Sequence, residues 1–468
     1  MNPFPSVKVS LIGGGGIRTP LVIFGVNELA PSLGITEMVL YDPDEARVQL
    51  MAELGRAIVA REGGDLKITV ATHIEEAIEG CAFIMNSIRV GGIRSRAADE
   101  LATIRNGYPG QETTGPAGAA MALRTVPIVL EQARLVEKLN PQGWIVSFTN
   151  PAGLVTQAIS THTAAKVVGI CDTPTELIHN LTRALGATAE QVQCEYIGLN
   201  HLGWIRRIRL NEEDITQRVL DDDRLLAQAY TVPLFDPDMI RQLGLIPSEY
   251  LYFYYCRRRA LENQVSHGGS RGAEVEKLNE SLLKSLLNAL SAGSNQDAVA
   301  IYAAYLNRRS GSYMRLEGHG GSAFDADAAF DIDPFRVASG YHVIAMDVIR
   351  ALSSDKASKI IVNTRNHGTV SDLADDDIIE TTCKISRDGI VPEPLGALPD
   401  ETRGLVTAIK AYERAAIKAA LAASAAEPAG PLARLIARKA FLLHPAIQDW
   451  EASDPLLRDL LDPTCIHC

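Results

Sequence analysis

Three side chains that can bind metals or substrates follow short apolar runs of the sequence. Asn150, Cys171 and His201 each come soon after a β-branched run, which is the pattern of a buried strand. Because ligands bind beyond the carboxyl ends of strands in an open α/β sheet, an amide, a thiol and an imidazole would meet near one cleft. Taken singly, each has a structural explanation, since cysteine is often buried and Asn-Pro is an ordinary turn signal. Their shared placement predicts a metal or catalytic site.

The composition limits the class of protein. With 468 residues the chain exceeds the size of one core, so we expect two domains or a large two-lobed unit. A formal charge of -12 argues against a nucleic-acid or anionic-membrane partner. The start has no leader pattern, no apolar run could span a bilayer, and seven scattered cysteines suit a reducing compartment. We therefore expect a cytoplasmic protein, and favour a disordered tail over a metal site for Cys465 and Cys468.

A glycine turn near the start indicates a dinucleotide site. A strand at residues 8–12 leads into Gly13, Gly14, Gly15 and Gly16, and Thr19-Pro20 then opens a helix. This arrangement brings backbone N–H groups to a pyrophosphate, although Arg18 stands where the fingerprint calls for a third glycine.

The end of the second strand points to the same cofactor. Asp42 follows the apolar run at 38–41. A carboxylate there can accept both ribose hydroxyls and would repel a 2′-phosphate, which favours NAD over NADP. The alternative is a helix cap, a role that Asp44 could fill equally well.

The alternation of strands and helices sets the fold class. Strand-like runs at 66–70, 82–86 and 145–148 alternate with helical stretches, which predicts a parallel, doubly wound sheet. After Trp204 the alternation stops; residues 212–245 are mostly helical, and runs at 359–362 and 378–385 suggest an antiparallel addition. We predict an α/β protein with a Rossmann-type domain at 1–200 and a mixed α+β catalytic domain at 201–468, as in lactate and malate dehydrogenases.

Two further stretches carry functional groups. Arg96, close to a glycine pair, is either solvated or a fork for a carboxylate or phosphate. Four tyrosines lie within six residues, from Tyr250 to Tyr255. Most aromatic side chains in such a cluster pack, so we expect at most one to be chemical.

These motifs in combination resemble the NAD- and divalent-metal-dependent glycoside hydrolases of family 4, and among them the 6-phospho-β-glucosidases most closely. The resemblance spans nearly the whole chain. Two residues depart from the family pattern: Asp172 stands where asparagine is usual, and Gly16 where serine is common. The matching stretches are Ile12–Gly15 with Thr19-Pro20, Arg89–Gly92 with Arg96, Asp99-Glu100, Gly110–Gly115, Thr149–Gly153, Gly198–His201, Tyr250-Leu251, Arg271-Gly272, Asn363–Gly368, Ala411–Arg414 and Leu443–Pro445.

The resemblance implies a redox-neutral hydrolysis, an exception to the two-carboxylate rule of glycosidases. In the family, NAD+ removes hydride from C3 of the sugar, a metal holds the C2 and C3 oxygens, and a tyrosine takes the C2 proton. The C1 leaving group is eliminated, water adds, and the ketone is reduced again. A thiolate and an imidazole by themselves would favour zinc, whereas the family uses Mn²⁺.

The resemblance also implies roles for individual residues. The metal ligands would be Cys171 and His201, and the C2 base would be Tyr250. Substrate contacts would come from Arg96 and Arg271 to the phosphate, and from Glu112, Asn150, Asp172 and Asn200, with Asn150 also near the cofactor. The negative charge of Asp172 adjoins a site expected to hold a sugar phosphate, which leaves the substrate open.

The sequence is also compatible with other functions. A family member could act on uronides, 6-phospho-α-glucosides or unphosphorylated glycosides. An NAD-dependent hydroxyacid dehydrogenase on the same fold would accumulate NADH, and a non-catalytic NAD-binding sensor would turn over no glycoside. We expect a homodimer or homotetramer that acts on a small phosphorylated glycoside.

Overall fold

The computed structural model of the chain describes residues 7–311, 314, 317, 333–337, 340–423 and 430–461. The strands are β1 Val7–Ile12, β2 Ile35–Tyr41, β3 Lys67–Val70, β4 Cys81–Asn86, β5 Trp144–Ser147, β6 Lys166–Gly169, β7 Val192–Leu199, β8 Leu202–Leu210, β9 Glu213–Asp214, β10 Ile246–Pro247, β11 Ser358–Arg365, β12 Ile378–Ser386 and β13 Gly389–Pro392. The helices are α1 Thr19–Leu33, α2 Glu45–Arg61, α3 Gly92–Arg105, α4 Gly115–Leu139, α5 Ala152–His162, α6 Thr173–Ala184, α7 Thr216–Asp221, α8 Asp223–Gln228, α9 Pro237–Leu243, α10 Tyr252–Tyr255, α11 Arg257–His267, α12 Arg271–Ser291, α13 Asn295–Gly311, α14 Tyr341–Leu352, α15 Asp400–Ala422, α16 Pro431–Leu443 and α17 Trp450–Leu460, with 3-10 helices at Ile74–Ala77 and Glu249–Leu251.

Nine of the described strands form one sheet in the order β13-β12-β11-β6-β5-β4-β1-β2-β3. Strands β1 to β6 are parallel, and their order is that of a dinucleotide-binding sheet. Strand β11 joins β6 in the antiparallel sense, and β12 and β13 continue antiparallel. The predicted doubly wound sheet and its antiparallel addition are confirmed.

Apolar side chains cover both faces of this sheet. One buried cluster combines the strands with residues of α1, α2 and α14, and another combines them with α4 and α5. The parallel strands are buried on both faces, which explains why the sequence shows continuous apolar runs there rather than alternation.

The strand before His201 lies outside the parallel sheet, so the expectation of three neighbouring strand ends is wrong for this one. Strands β7 and β8 form an antiparallel hairpin in a second, four-stranded sheet within the described residues. Leu199 pairs with Leu202, and the turn between them is Asn200-His201. A short apolar run cannot distinguish a hairpin strand from a buried parallel strand. The hairpin packs on β12, where the Thr381 hydroxyl donates to the Tyr196 carbonyl (2.9 Å).

Two other expectations from the sequence are not tested by the fold. The large sheet takes strands from both sides of residue 200, and the division into domains there stays a prediction. The Cys465–Cys468 stretch lies outside the described residues. Among the helices described, none is long and apolar enough to cross a membrane.

Candidate active site

The glycine turn is built so tightly that side chains are excluded. Gly13 has φ 93°, and a Cβ on it would lie 2.4 Å from the Ser87 carbonyl oxygen. The amides of Gly13 and Gly14 donate to the Tyr41 carbonyl oxygen (both 2.9 Å), and that of Gly16 to the Gly13 oxygen (3.0 Å). These glycine amides are therefore used in hydrogen bonds that stabilise the conformation of the turn.

The next amides of this turn remain available. Those of Ile17 and Arg18, just before α1, have no acceptor within the described part of the chain. Amides at the start of a helix suit an anionic group such as a pyrophosphate.

Asp42 is tied to the glycine turn and does not cap a helix. Its Oδ2 accepts the amide of Gly15 (3.0 Å), and its Oδ1 accepts that of Asp44 (3.0 Å). The cap of α2 is Asp44, whose side chain accepts from the Arg47 amide. The sequence left both roles open to Asp42; the cap is now excluded, while ribose binding stays a prediction.

Strand β6 ends at Gly169, and Cys171 lies two residues further along the chain. Cys171 is 2% exposed. It forms no disulfide. Burial raises the pKa of its thiol well above the usual value, and the charges of Glu380 and Asp172 raise it further. A bound cation at this position would reverse that effect and hold the thiolate.

His201 sits in the β7–β8 turn at φ 59° and is 4% exposed. Its Nδ1 lies 2.5 Å from the Thr113 hydroxyl, which itself donates to Gln111 Oε1 (2.8 Å). Because the Thr113 proton is already used, Nδ1–H must donate and Nε2 keeps its lone pair. Nε2 is buried and has no hydrogen-bond partner among the described residues. Burial lowers the pKa of His201 to about 4 against the opposing charge of Glu112, so the ring is neutral and able to bind a metal.

The Tyr250 ring covers one face of the His201 imidazole. The two rings stack with centroids 3.8 Å apart and planes 16° apart. Tyr250 lies on the 3-10 helix that follows β10. Of the tyrosine cluster, Tyr254 instead stacks on His444 (6.0 Å), as expected for a packing residue.

A buried carboxyl group organises the amides of the site. Glu380, on β12, is 1% exposed and accepts hydrogen bonds from the side chains of Asn200 (3.1 Å), Asn363 (2.8 Å) and Tyr196 (3.3 Å). Burial raises the pKa of Glu380 to about 7 despite these donors. Glu380 is not among the site residues expected from the sequence. An acidic residue inside an apolar strand could have indicated it, because a buried carboxyl group needs hydrogen-bond partners.

Asn150 also faces the site with an unused group. Its Oδ1 atom is buried and, among the described residues, has no hydrogen-bond partner. Its neighbour Gly153 donates its amide to Asn200 Oδ1 (3.4 Å), which links the two asparagine loops.

Glu112 joins two arginines near the imidazole. It receives Arg89 Nη2 at 2.5 Å and Arg96 Nη1 at 3.0 Å. Burial alone would raise the pKa of Glu112, but Arg89 and Arg96 hold it well below the usual range. Glu112 therefore stays ionised at every useful pH. A small pocket beside it is lined also by Gly92 and Arg124.

Several arginine side chains lie on one side of the site. Arg96 Nε donates to Glu100 Oε1 (2.8 Å), and Glu100 Oε2 accepts the Gly272 amide (2.6 Å), next to Arg271. Arg271 Nη2 donates to the Arg309 carbonyl oxygen (2.8 Å). Burial lowers the pKa of Arg309, and the charges of Arg18 and Arg96 lower it further. Arg309 was not singled out from the sequence, because its neighbours lie far away along the chain.

Within the described residues no group of three or more His, Cys, Asp or Glu side chains could hold a metal. A metal bound by Cys171 and His201 would therefore need oxygens from substrate or water to complete its coordination.

Two family models together match most of the chain. The model of the family 4 glycosyl hydrolases matches residues 8–187, and that of the family 4 glycosyl hydrolase C-terminal domain matches residues 196–446. A probable 6-phospho-beta-glucosidase of Bacillus subtilis is 29% identical over 426 residues, 89% of this chain and 88% of its own length.

Solved structures of other proteins are similar to this chain in fold. The 6-phospho-beta glucosidase of Thermotoga maritima with manganese, NAD+ and glucose-6-phosphate is 27% identical, with a TM-score of 0.80 over 97% of this chain and 98% of that one. A lactate dehydrogenase from a Medee basin deep-sea metagenome is 11% identical, with a TM-score of 0.51 over 89% of this chain and 99% of that one. The second likeness shows the fold alone and confirms the predicted fold class.

Proposed function

We propose, because this chain belongs to the family 4 glycosyl hydrolases, that it hydrolyses 6-phospho-β-glucosides with NAD+ and a divalent metal. The relatives named above support the substrate class. The observation that carries the proposal is the buried His201 ring, stacked on Tyr250 with its Nε2 unpaired.

The residues present suit both cofactors. A buried thiol and an imidazole with a vacant Nε2 suit a metal ligand pair, and the glycine turn with Asp42 suits a dinucleotide. We take the metal to be Mn²⁺, as in the Thermotoga relative. When bound, NAD+ would supply a hydride acceptor for C3 of the sugar, and a metal held by Cys171 and His201 would supply Lewis-acid polarisation of the sugar oxygens.

The protein side chains would then do the remaining work. Tyr250 oxygen takes the proton from C2, which allows the bond from C1 to the leaving group to break. Asn150 and Asn200 orient the sugar hydroxyls, and Glu380 holds the Asn200 amide in place. Glu112, kept ionised by its arginines, cannot donate a proton and instead fixes Arg96.

A hydrolysis screen tests the reaction class. Nitrophenyl β- and α-glucosides, with and without a 6-phosphate, and the β-glucuronide are incubated with NAD+ and Mn²⁺. We expect the 6-phospho-β-glucoside to be cleaved fastest, with no build-up of NADH. Accumulating NADH would indicate a hydroxyacid dehydrogenase, and no turnover of any glycoside would indicate an NAD-binding sensor.

We assign recognition of the phosphate to Arg96 and Arg271. Loss of a charge-assisted contact to a desolvated phosphate costs roughly 2–5 kcal/mol. Arg96→Ala and Arg271→Ala should therefore lower kcat/KM for the phosphorylated glucoside far more than for the plain one. Arg94→Ala is the matched control, since Arg94 is exposed and pairs with Glu276 (3.5 Å). Equal losses on both substrates would mean that the two arginines are structural.

We also propose a cytoplasmic homo-oligomer. The free cysteines of the described chain suit a reducing compartment. Leu432, Leu435 and Leu442 lie exposed on one face of α16, which supports an interface between copies. Light scattering should give a dimer or tetramer mass, and Leu432→Glu with Leu435→Glu should reduce it. A monomeric wild type would contradict the proposal.

A further inference from the structure

Arg18 and Asp172, which both depart from the expected sequence patterns, form an ion pair. Arg18 Nη1 lies 3.7 Å from Asp172 Oδ2. Arg18 follows the glycine turn, where a third glycine was expected, and Asp172 adjoins Cys171, where the family usually has asparagine. The residues are far apart in sequence, so the pair could not be inferred from either position alone.

A third residue, Tyr341, lies against the pair. The Arg18 guanidinium lies over the Tyr341 ring, 4.7 Å from its centroid, and burial and the charge of Asp172 raise the pKa of Tyr341. A cation over an aromatic face is attracted by the ring quadrupole. The glycine turn, the start of α6 and the start of α14 thus meet at one point.

The pair contributes little to the stability of the fold. The Arg18 and Asp172 side chains are 43% and 24% exposed, and partly exposed pairs are screened by water and salt. We therefore expect the pair to affect the charge of the site more than the stability of the fold.

The charge of Asp172 reaches the neighbouring groups. It contributes to the raised pKa of Glu176, and Asp172 and Glu112 are close enough for their charges to interact. A sugar phosphate would carry its own negative charge into this field. Unless its charge is offset, Asp172 would oppose the binding of an anionic substrate, and Arg18 is the side chain that pairs with it.

We propose that Arg18 is a specificity-determining residue that offsets the charge of Asp172 and so allows this site to accept an anionic sugar. The inference rests on the proposed function, since it presupposes a phosphorylated substrate. Arg18 acts through Asp172 and does not itself contact the phosphate. It is a positioning residue contributed by the cofactor turn.

The test measures Kd for glucose 6-phosphate and for glucose at saturating NAD+ and Mn²⁺. We expect Arg18→Gln to weaken glucose 6-phosphate binding roughly 10-fold, because an uncompensated carboxylate then faces the anion. The Kd for glucose should change less than about 2-fold, since a neutral ligand does not feel that charge. Arg18→Lys should keep the wild-type ratio of the two constants. The Kd for NAD+ is measured for each variant, because Arg18 adjoins the glycine turn.

Rescue decides between the possible roles of Arg18. Adding Asp172→Asn to Arg18→Gln should restore glucose 6-phosphate binding, since the opposing charge is gone. Failure of that rescue would overturn the proposal and mean that Arg18 contacts the phosphate directly. An equal loss for both sugars would overturn it in favour of a structural role. If the wild type itself binds both sugars equally, the phosphorylated substrate is wrong, and that result is distinct from a failure of the Arg18 variants.

Discussion

Two buried histidines lie against tyrosine rings, and they differ in what their nitrogens do. His201 stacks on Tyr250 and leaves Nε2 buried without a partner in the described structure. His444 stacks on Tyr254, meets the edge of Tyr412 (4.6 Å), and accepts the Ala446 amide at Nδ1 (3.1 Å). Both stretches match family motifs in the sequence.

This difference indicates that His201 can bind a ligand through Nε2, whereas His444 is a packing residue. Burial lowers the pKa of His201 to about 4 and that of His444 to about 3, so neutral charge does not distinguish the two histidines. An unpaired buried polar atom is costly, and it persists where a ligand will satisfy it. Nε2 of His201 is such an atom.

Removal of each imidazole gives the largest contrast. His201→Ala should lower kcat by at least about 1000-fold, or about 4 kcal/mol, because a metal ligand is lost. His444→Gln should reduce the melting temperature and leave the Mn²⁺ affinity of the folded enzyme unchanged. Calorimetric titration with Mn²⁺ measures both affinities. Normal Mn²⁺ binding by folded His201→Ala would remove His201 from the metal site.

The Thr113 hydroxyl should matter less, because it acts through His201. Thr113→Val removes the acceptor of Nδ1–H, so the imidazole proton is no longer directed away from Nε2. Loss of such a partner typically weakens metal affinity by about 10–100-fold. Thr114→Val is the matched control, since no side-chain bond from Thr114 reaches His201 in the described chain. If both variants bind Mn²⁺ equally well, the assignment of the Nδ1–H tautomer is wrong.

The smallest effect concerns stability against pH. Between pH about 6.5 and the lowered values near 4 and 3, the unfolded chain holds a proton on each histidine that the folded chain does not. Stability therefore falls as the pH falls through this window. Each histidine should cost roughly 2 kcal/mol between pH 7 and pH 5 in urea unfolding without metal. His201→Asn and His444→Gln should each flatten the pH dependence, and an unchanged slope in either variant would contradict its burial as a neutral ring.

The sequence predicts the elements whose signals are local. The glycine turn could be predicted because strand, turn and helix follow one another directly, and the parallel strands could be predicted because their runs are continuously apolar. The strand before His201 was expected in the parallel sheet but pairs in a hairpin, because tertiary packing decides which strand it pairs with. Glu380 was missed because its three donors lie on other elements, remote in sequence.

Turnover in heavy water tests whether Tyr250 removes a proton from C2. Elimination and re-addition break the C2–H bond, whereas direct displacement at C1 leaves it intact. We expect deuterium at C2 of the sugar released by the wild type and by Tyr254→Phe, read by NMR or mass spectrometry. Tyr250→Phe should lose both turnover and exchange. Product formed without deuterium at C2, and without a primary isotope effect on C2-deuterated substrate, would contradict the mechanism.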